Sequence, residues 1–405
     1  MDKDQAEFQR LRSSADTFQI EVDGLCLPLK RHRGKGGGGP PVLLLHGGST
    51  CSDIFLVPGG GLVQYLLNRN WEVWTLDWRG SCRVVDALPA DSLAGSVEAE
   101  RALFTLDSVA MTDIPRALHK MREHIDPDQK IGVVGFCAGS GALSMAIARG
   151  KLHGLGVDNV VLMTLGLFYE TPWDGWIKAE DFLIERVIVE DAKRRGVSPH
   201  ETPWALAMEE AYKRWPQAWL TPGAAGATVR EMYRRLTFMF GEPYASTLDP
   251  AISPRVLLSM FGSLHLGLYL HLGQQVRRGH AAEFNAPDIL DRSRVRSKSA
   301  VRRKDDLNPA HFYDGSVALI GGAQNRLWHR DSVDLMYEWL RSNAPPAARK
   351  SSIRKHILTD YAHLDLLWGP RAREDVYPLI KDSLDPARGS DGLLKSSEAR
   401  PGARL

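Results

Sequence analysis

Gly135-Phe136-Cys137-Ala138-Gly139 sets a thiol between two glycines, where the apolar run KIGVVGF gives way to the small-residue stretch SGALSMAIARG. This is a G-x-nucleophile-x-G arrangement with sulfur in place of oxygen. Flanking glycines permit a sharp strand-to-helix turn that drives the central side chain into a strained, exposed position. The helix N-terminus behind it favours an anion, so the spacing predicts a lowered thiol pKa and an accessible thiolate. A buried structural cysteine is the plain alternative, and the position of the motif after a third buried strand argues against it.

A thiol nucleophile needs a base, and elbow enzymes order their members as nucleophile, acid, histidine along the chain. Of the thirteen histidines, His363 follows the last apolar run, in DYAHLDLLWG. His329, in RLWHRD, competes as a base but reads as a solvated surface residue. The third member belongs to the loop after ALIGG, which reads AQNRLWHRD. By position Asn325 takes that place, and Asp331 is the alternative, although Asp331 and Asp334 read as first-turn acids of the next helix. A neutral orienter is coherent with sulfur, because a thiolate–imidazolium pair is already ionised. An oxyanion hole needs two backbone N–H groups, expected from Ala138 and from Leu45-His46-Gly47-Gly48, with Gly48 the donor.

The elements that must hold these residues are legible as patterns. FQIEVDGLCLPLKRHR alternates around Asp-Gly as a hairpin does. PVLLLHGG, WEVWTLDWRG, KIGVVGF and VDNVVLMTLG are short continuous apolar runs, the signature of parallel strands covered on both faces. GGLVQYLLNRN and SVAMTDIPRALHKMREHI carry helical spacing between them. The alternation predicts an α/β chain with an open, mostly parallel sheet flanked by helices. Core residues 1–168 give way at 169–312 to a mainly helical insertion expected to cap the sheet. Residues 313–385, with strands SVALIGG and KHILTD, complete the core, and 386–405 read as a disordered tail.

Composition bounds the function. The 405 residues are 43% hydrophobic and 25% charged, with a net charge of +2, the profile of an ordinary globular protein and not of a nucleic-acid binder. The leading MDKDQAEFQRLRSSAD does not read as a signal peptide, and no run reaches the ~18 apolar residues of a membrane span. Four cysteines, Cys26, Cys51, Cys82 and Cys137, lie far apart without CxxC spacing, which argues against a zinc site or a disulfide framework. A cytoplasmic protein without metal or cofactor is the expectation.

With these residues in place, the chain resembles the α/β-hydrolase superfamily. Within it the chain is similar to acid-lipase-type enzymes and to the hydrolase domains associated with cholesterol-oxidase-type oxidoreductases. The matching pieces are LLLHGGSTCSDIF, VWTLDWRGS, TDIPRAL, VVGFCAGSGAL, HLGQQVRRG, LIGGAQN and YAHLDLLWGPRAREDVYP. The resemblance implies an α/β-hydrolase fold with an inserted cap, His363 as base and Gly48 as oxyanion donor. It departs from acid lipases at Cys137 and Asn325, where they carry serine and aspartate, so lipase activity does not simply carry over. Polyhydroxyalkanoate synthases look similar at GFCAG only.

Sulfur leaves a tetrahedral intermediate more readily than an alkoxide does, so a cysteine elbow suits thioesters or activated esters better than simple esters. The expected reaction is hydrolysis of a lipophilic ester or acyl thioester. Transfer to another acceptor, polymerisation, and ligand binding without turnover are the alternatives. The segment 291–306, with seven Arg or Lys, could meet an acyl carrier protein or the phosphates of coenzyme A.

Overall fold

A computed structural model describes residues 3–34, 37–57, 59–88, 103–180, 236, 239–240, 248–249, 252–262, 264–284, 307–345 and 353–385. The expected tail at 386–405, the basic segment 291–306 and most of 169–312 lie outside the described residues.

Eight strands form one sheet: β1 (Asp16–Val22), β2 (Leu25–His32), β3 (Pro41–Leu45), β4 (Glu72–Leu76), β5 (Ile131–Phe136), β6 (Val157–Met163), β7 (Ser316–Gly322) and β8 (Ile353–Leu358). Their order is β1-β2-β4-β3-β5-β6-β7-β8. β1 and β2 make the expected hairpin, with Asp23 and Gly24 at positive φ in its turn, and β2 pairs antiparallel with β4. From β4 to β8 every pairing is parallel.

The apolar runs become strands because helices cover both faces. Every residue of β3, β4 and β5 is buried. Fully removing a Leu or Val side chain from water contributes roughly 1.5–3 kcal/mol, so Leu43, Leu44, Val133 and Val134 anchor the middle of the sheet. Among the flanking helices are α1 (Lys3–Ser13), α2 (Leu62–Leu67), α3 (Ile114–Arg122) and α4 (Ala138–Ala148). α4 is buried along its whole length, which is why its sequence is small and apolar. Between β6 and β7 lie α5 (Trp173–Glu180) and α6 (Leu266–Arg278), which pack on one another. After β7 come α7 (Asp331–Asn343) and α8 (Tyr377–Leu384).

The HLGQQVRRG segment on α6 ties this region to the core. His271 Nδ1 accepts from the Leu106 N–H at 3.1 Å, and Gln275 donates to the Ala282 carbonyl at 2.8 Å. Asp107 accepts from Arg149 and from the Phe284 N–H. Among the described residues no helix is long and apolar enough to cross a membrane.

Candidate active site

The elbow forms as the glycines require. Cys137 sits between β5 and α4 at φ 56, ψ −125, a conformation that costs a non-glycine residue of order 1–3 kcal/mol and is held by the surrounding packing. A Cβ on Gly139 would lie 2.3 Å from the His46 carbonyl oxygen, and one on Gly135 2.6 Å from the Ser140 Cα. Both glycines are therefore demanded by close backbone approach. The elbow is fastened by Cys137 N–H to Met163 O at 3.1 Å and by Ser140 and Gly141 N–H groups to Cys137 O.

The loop after β3 brings Gly48 to the same point. His46 is fully buried, donates from Nδ1 to Gly47 O at 2.7 Å and stacks on Trp78 at 4.8 Å. Burial lowers its pKa to about 4, so it stays neutral and serves as scaffold. Asp77 secures the loop by accepting from the Ser52 N–H and hydroxyl, and Lys30 neutralises it at 3.1 Å.

The structure sets Gly48, Cys137 and Ala138 around one cavity and Asn325 beside His363, with Trp328 joining the two groups through its indole to Cys137 Sγ and its N–H to Asn325 Oδ1. Asn325 Nδ2 lies 3.1 Å from His363 Nδ1. Asp331 is not beside His363: it is half exposed on α7 and pairs with the half-exposed His329 at 3.2 Å. The first-turn acid and surface histidine that their sequence context indicates are thus what they are. Around His363, Asp365 and Trp368 of the HLDLLWG stretch are tied into the scaffold. Asp365 accepts from the Ala362 N–H, and Trp368 donates to the Ile54 carbonyl at 2.9 Å.

Burial overturns the expectation of a lowered thiol pKa. Cys137 is 4% exposed, and loss of water drives its pKa up to about 11, against hydrogen bonds from the Trp328 indole and from the Ala138 and Gly48 N–H groups. Desolvation wins because no charged group among the described residues offsets it. His363 is fully buried between Phe136 (5.1 Å) and Phe240 (5.4 Å), and burial takes its pKa down to about 3. The pair is therefore thiol and neutral imidazole, not the ionised pair that the sequence suggested. Iodoacetamide labelling of Cys137 is expected to keep accelerating as pH rises past 9 toward about 11. A rate that levels off near neutral pH would contradict this.

Sequence reasoning missed Trp328. Its indole N–H donates to Cys137 Sγ at 3.3 Å, and its ring meets Tyr169 edge-on at 5.5 Å. The only signal was its place three residues after Asn325, whose side chain accepts from the Trp328 N–H. Two cysteines read as far apart also meet: Cys51 and Cys82 both direct sulfur to the Met260 carbonyl, at 3.7 and 3.8 Å, and all four cysteines are free.

Above the sulfur lies an apolar cavity of about 80 Å³. Gly48, Cys137 and Ala138 form its floor, and Gly175, Ala179, Phe240, Leu272, Gly273, Leu327 and Trp328 are among its walls. A larger groove, about 320 Å³, opens at the opposite end of β5–β7 beside Lys130, His153 and His311, and none of the candidate residues line it. Chemistry, not size, selects the smaller one. Among the described residues no group of three His, Cys, Asp or Glu could hold a metal ion.

A parallel sheet of this order, with an elbow after β5 and a histidine after β8, defines an α/β-hydrolase-fold protein. The family described as alpha/beta hydrolase fold matches residues 40–239, a span that includes Gly48, Cys137 and Ala138, and supports placing the chain among the α/β hydrolases. A probable lipase of Schizosaccharomyces pombe is 30% identical over 91 residues, 18% of this chain. The chain spans about a fifth (19%) of that relative's length. Among solved structures, a lipase in its open form is 15% identical, with 91% of this chain and 98% of that one covered and a TM-score of 0.54. A putative lipase from Acinetobacter baumannii is 13% identical, with 95% and 97% covered and a TM-score of 0.48.

Proposed function

We propose that the protein is an acyl hydrolase of the esterase or thioesterase type, working through an acyl-enzyme on Cys137. The observation that carries this reading is the convergence of the Gly48 and Ala138 N–H groups on a thiol at a positive-φ elbow beneath an apolar cavity. Donors so placed suit a developing oxyanion. His363 is the group that relays the proton, and Asn325 sets the histidine. The described residues of 169–312 that line the cavity, Ala179, Phe240, Leu264 and Leu272 among them, act as a cap whose apolar walls suit a lipophilic acyl group. The likeness to a probable lipase over 91 residues supports an ester-like substrate.

Sulfur favours a thioester over a simple oxygen ester. The Cys137 Sγ–acyl bond forms, the bond to the substrate thiol breaks, and that thiol leaves with the proton from Cys137. Water then attacks the acyl-enzyme, which releases the acid and restores the thiol.

Intact-mass measurement after mixing with a panel of acyl thioesters and esters tests the proposal. The expected result is a transient acyl adduct, mapped to Cys137, that forms faster from thioesters. No adduct and no turnover with any member of the panel would leave a binding protein instead. The apolar lining of the cavity favours one second reading, transfer to an acceptor other than water. Single-turnover deacylation separates the two. Release at one rate with or without added alcohols, amines or thiols is expected of the hydrolase, and a long-lived adduct discharged by one acceptor would establish a transferase.

A further inference from the structure

Asn325 meets three groups at once, and two of them decide how it treats the third. Its Oδ1 accepts from the Leu327 N–H at 2.9 Å and from the Trp328 N–H at 3.1 Å. An amide oxygen only accepts and an amide nitrogen only donates. The two backbone donors therefore dictate that the NH₂ end faces His363 Nδ1, 3.1 Å away. Nδ1 must then be an acceptor, and a neutral imidazole with a bare Nδ1 carries its proton on Nε2.

That arrangement is the reverse of a catalytic triad, in which the orienting group accepts from Nδ1–H and leaves Nε2 free to take a proton. The groups around the sulfur have the same polarity. The Trp328 indole and the Gly48 and Ala138 N–H groups all donate to it, and His363 Nε2 is buried without a hydrogen-bond partner among the described residues. The faces of the imidazole are covered by Phe136 and Phe240, neither of which titrates.

Resting on the reading of Cys137 as nucleophile, we propose that Asn325 is a positioning residue that holds His363 in the Nε2–H tautomer. The cysteine–histidine pair is then blocked to proton transfer at rest and is armed only when the Asn325 amide turns. In the turned form Oδ1 accepts from Nδ1–H, the ring proton having moved from Nε2 by exchange with water. Nε2 then offers its lone pair to the Cys137 proton as Sγ bonds to the acyl carbon, and passes that proton to the leaving group. Turning breaks the bonds to Leu327 and Trp328, so the same loop that blocks the base also sets the indole on the sulfur. An aspartate here would need no turn, because both of its oxygens accept. Asn325 is thus opposite in polarity to aspartate, and not a weaker copy of it.

Long-range ¹H–¹⁵N spectra of the full-length protein carrying ¹⁵N-histidine test this, with the His363 signals assigned by their loss in His363→Phe. In the wild type a non-protonated nitrogen is expected at Nδ1 and a protonated one at Nε2. Asn325→Asp is expected to exchange them and to raise iodoacetamide labelling of Cys137 at pH 7 by about tenfold or more. A wild-type His363 protonated at Nδ1 overturns the proposal whatever the variant does. An Asn325→Asp protein with an unchanged tautomer, or labelled no faster, also overturns it. Failure of Cys137 to acquire an acyl group in either protein would instead defeat the reading as an acyl hydrolase, and the tautomer result would stand.

Discussion

Replacing Cys137 with alanine is expected to abolish turnover while leaving the fold in place. The change removes the only sulfur at the elbow but little volume, and the backbone bonds from Cys137 N–H to Met163 and from Ser140 and Gly141 to Cys137 O do not involve the side chain. Thermal unfolding should therefore move little, since a near-isosteric change usually costs under about 1.5 kcal/mol. Cys137→Ser is the sharper comparison. A hydroxyl loses its proton far less readily than a thiol and depends more on base assistance, which His363 offers poorly at rest. A loss of at least about 10²-fold in the rate of acyl-enzyme formation is expected. Wild-type rates with serine would show that sulfur is incidental, and unchanged activity in Cys137→Ala would remove the mechanism altogether.

His363→Ala is expected to lower the rate of acyl-enzyme formation by about 10² to 10⁴, the usual worth of a positioned proton-transfer group. Alanine also opens a hole between Phe136 and Phe240, so a loss of stability could be mistaken for a loss of chemistry. His363→Phe fills the slot with a ring and lacks both nitrogens. It should be as inactive as the alanine variant yet melt closer to the wild type. The matching changes at His329 and Asp331, which pair with one another at the surface of the molecule, should leave the rate near wild type. If His329→Ala proved the more damaging, the proton-transfer role would have to move there.

Much of the frame was legible because its physical causes are local. PVLLL, EVWTL and IGVVGF read as doubly covered strands, and every residue in them is buried. Gly135 and Gly139 announced a close backbone approach. His363 and Asn325 were singled out by their places after the last two strands, and the structure sets them 3.1 Å apart. What escaped depends on packing that no short pattern encodes. The sign of the thiol's pKa shift turns on how completely water is excluded from Cys137, and a helix N-terminus in a sequence says nothing of that. The polarity of Asn325 turns on two backbone donors, Leu327 and Trp328, that reach its oxygen only after the loop has folded. Trp328 itself looked like any loop aromatic. Cys51 and Cys82, 31 positions apart in sequence, meet because β3 and β4 lie side by side.

The bond from the Trp368 indole to the Ile54 carbonyl spans 314 positions of sequence. It joins the loop carrying His363 to the one carrying Gly48. A nascent chain leaving the ribosome therefore displays its elbow and oxyanion glycines long before the histidine loop exists to meet them. Closing contacts of such long range is entropically costly and comes late. Synthesis thus yields an inert, partly built sheet until the segment carrying β8 and the His363 loop has been made, and chains stopped before β8 should be inactive and prone to aggregate through the unpaired edge of β7.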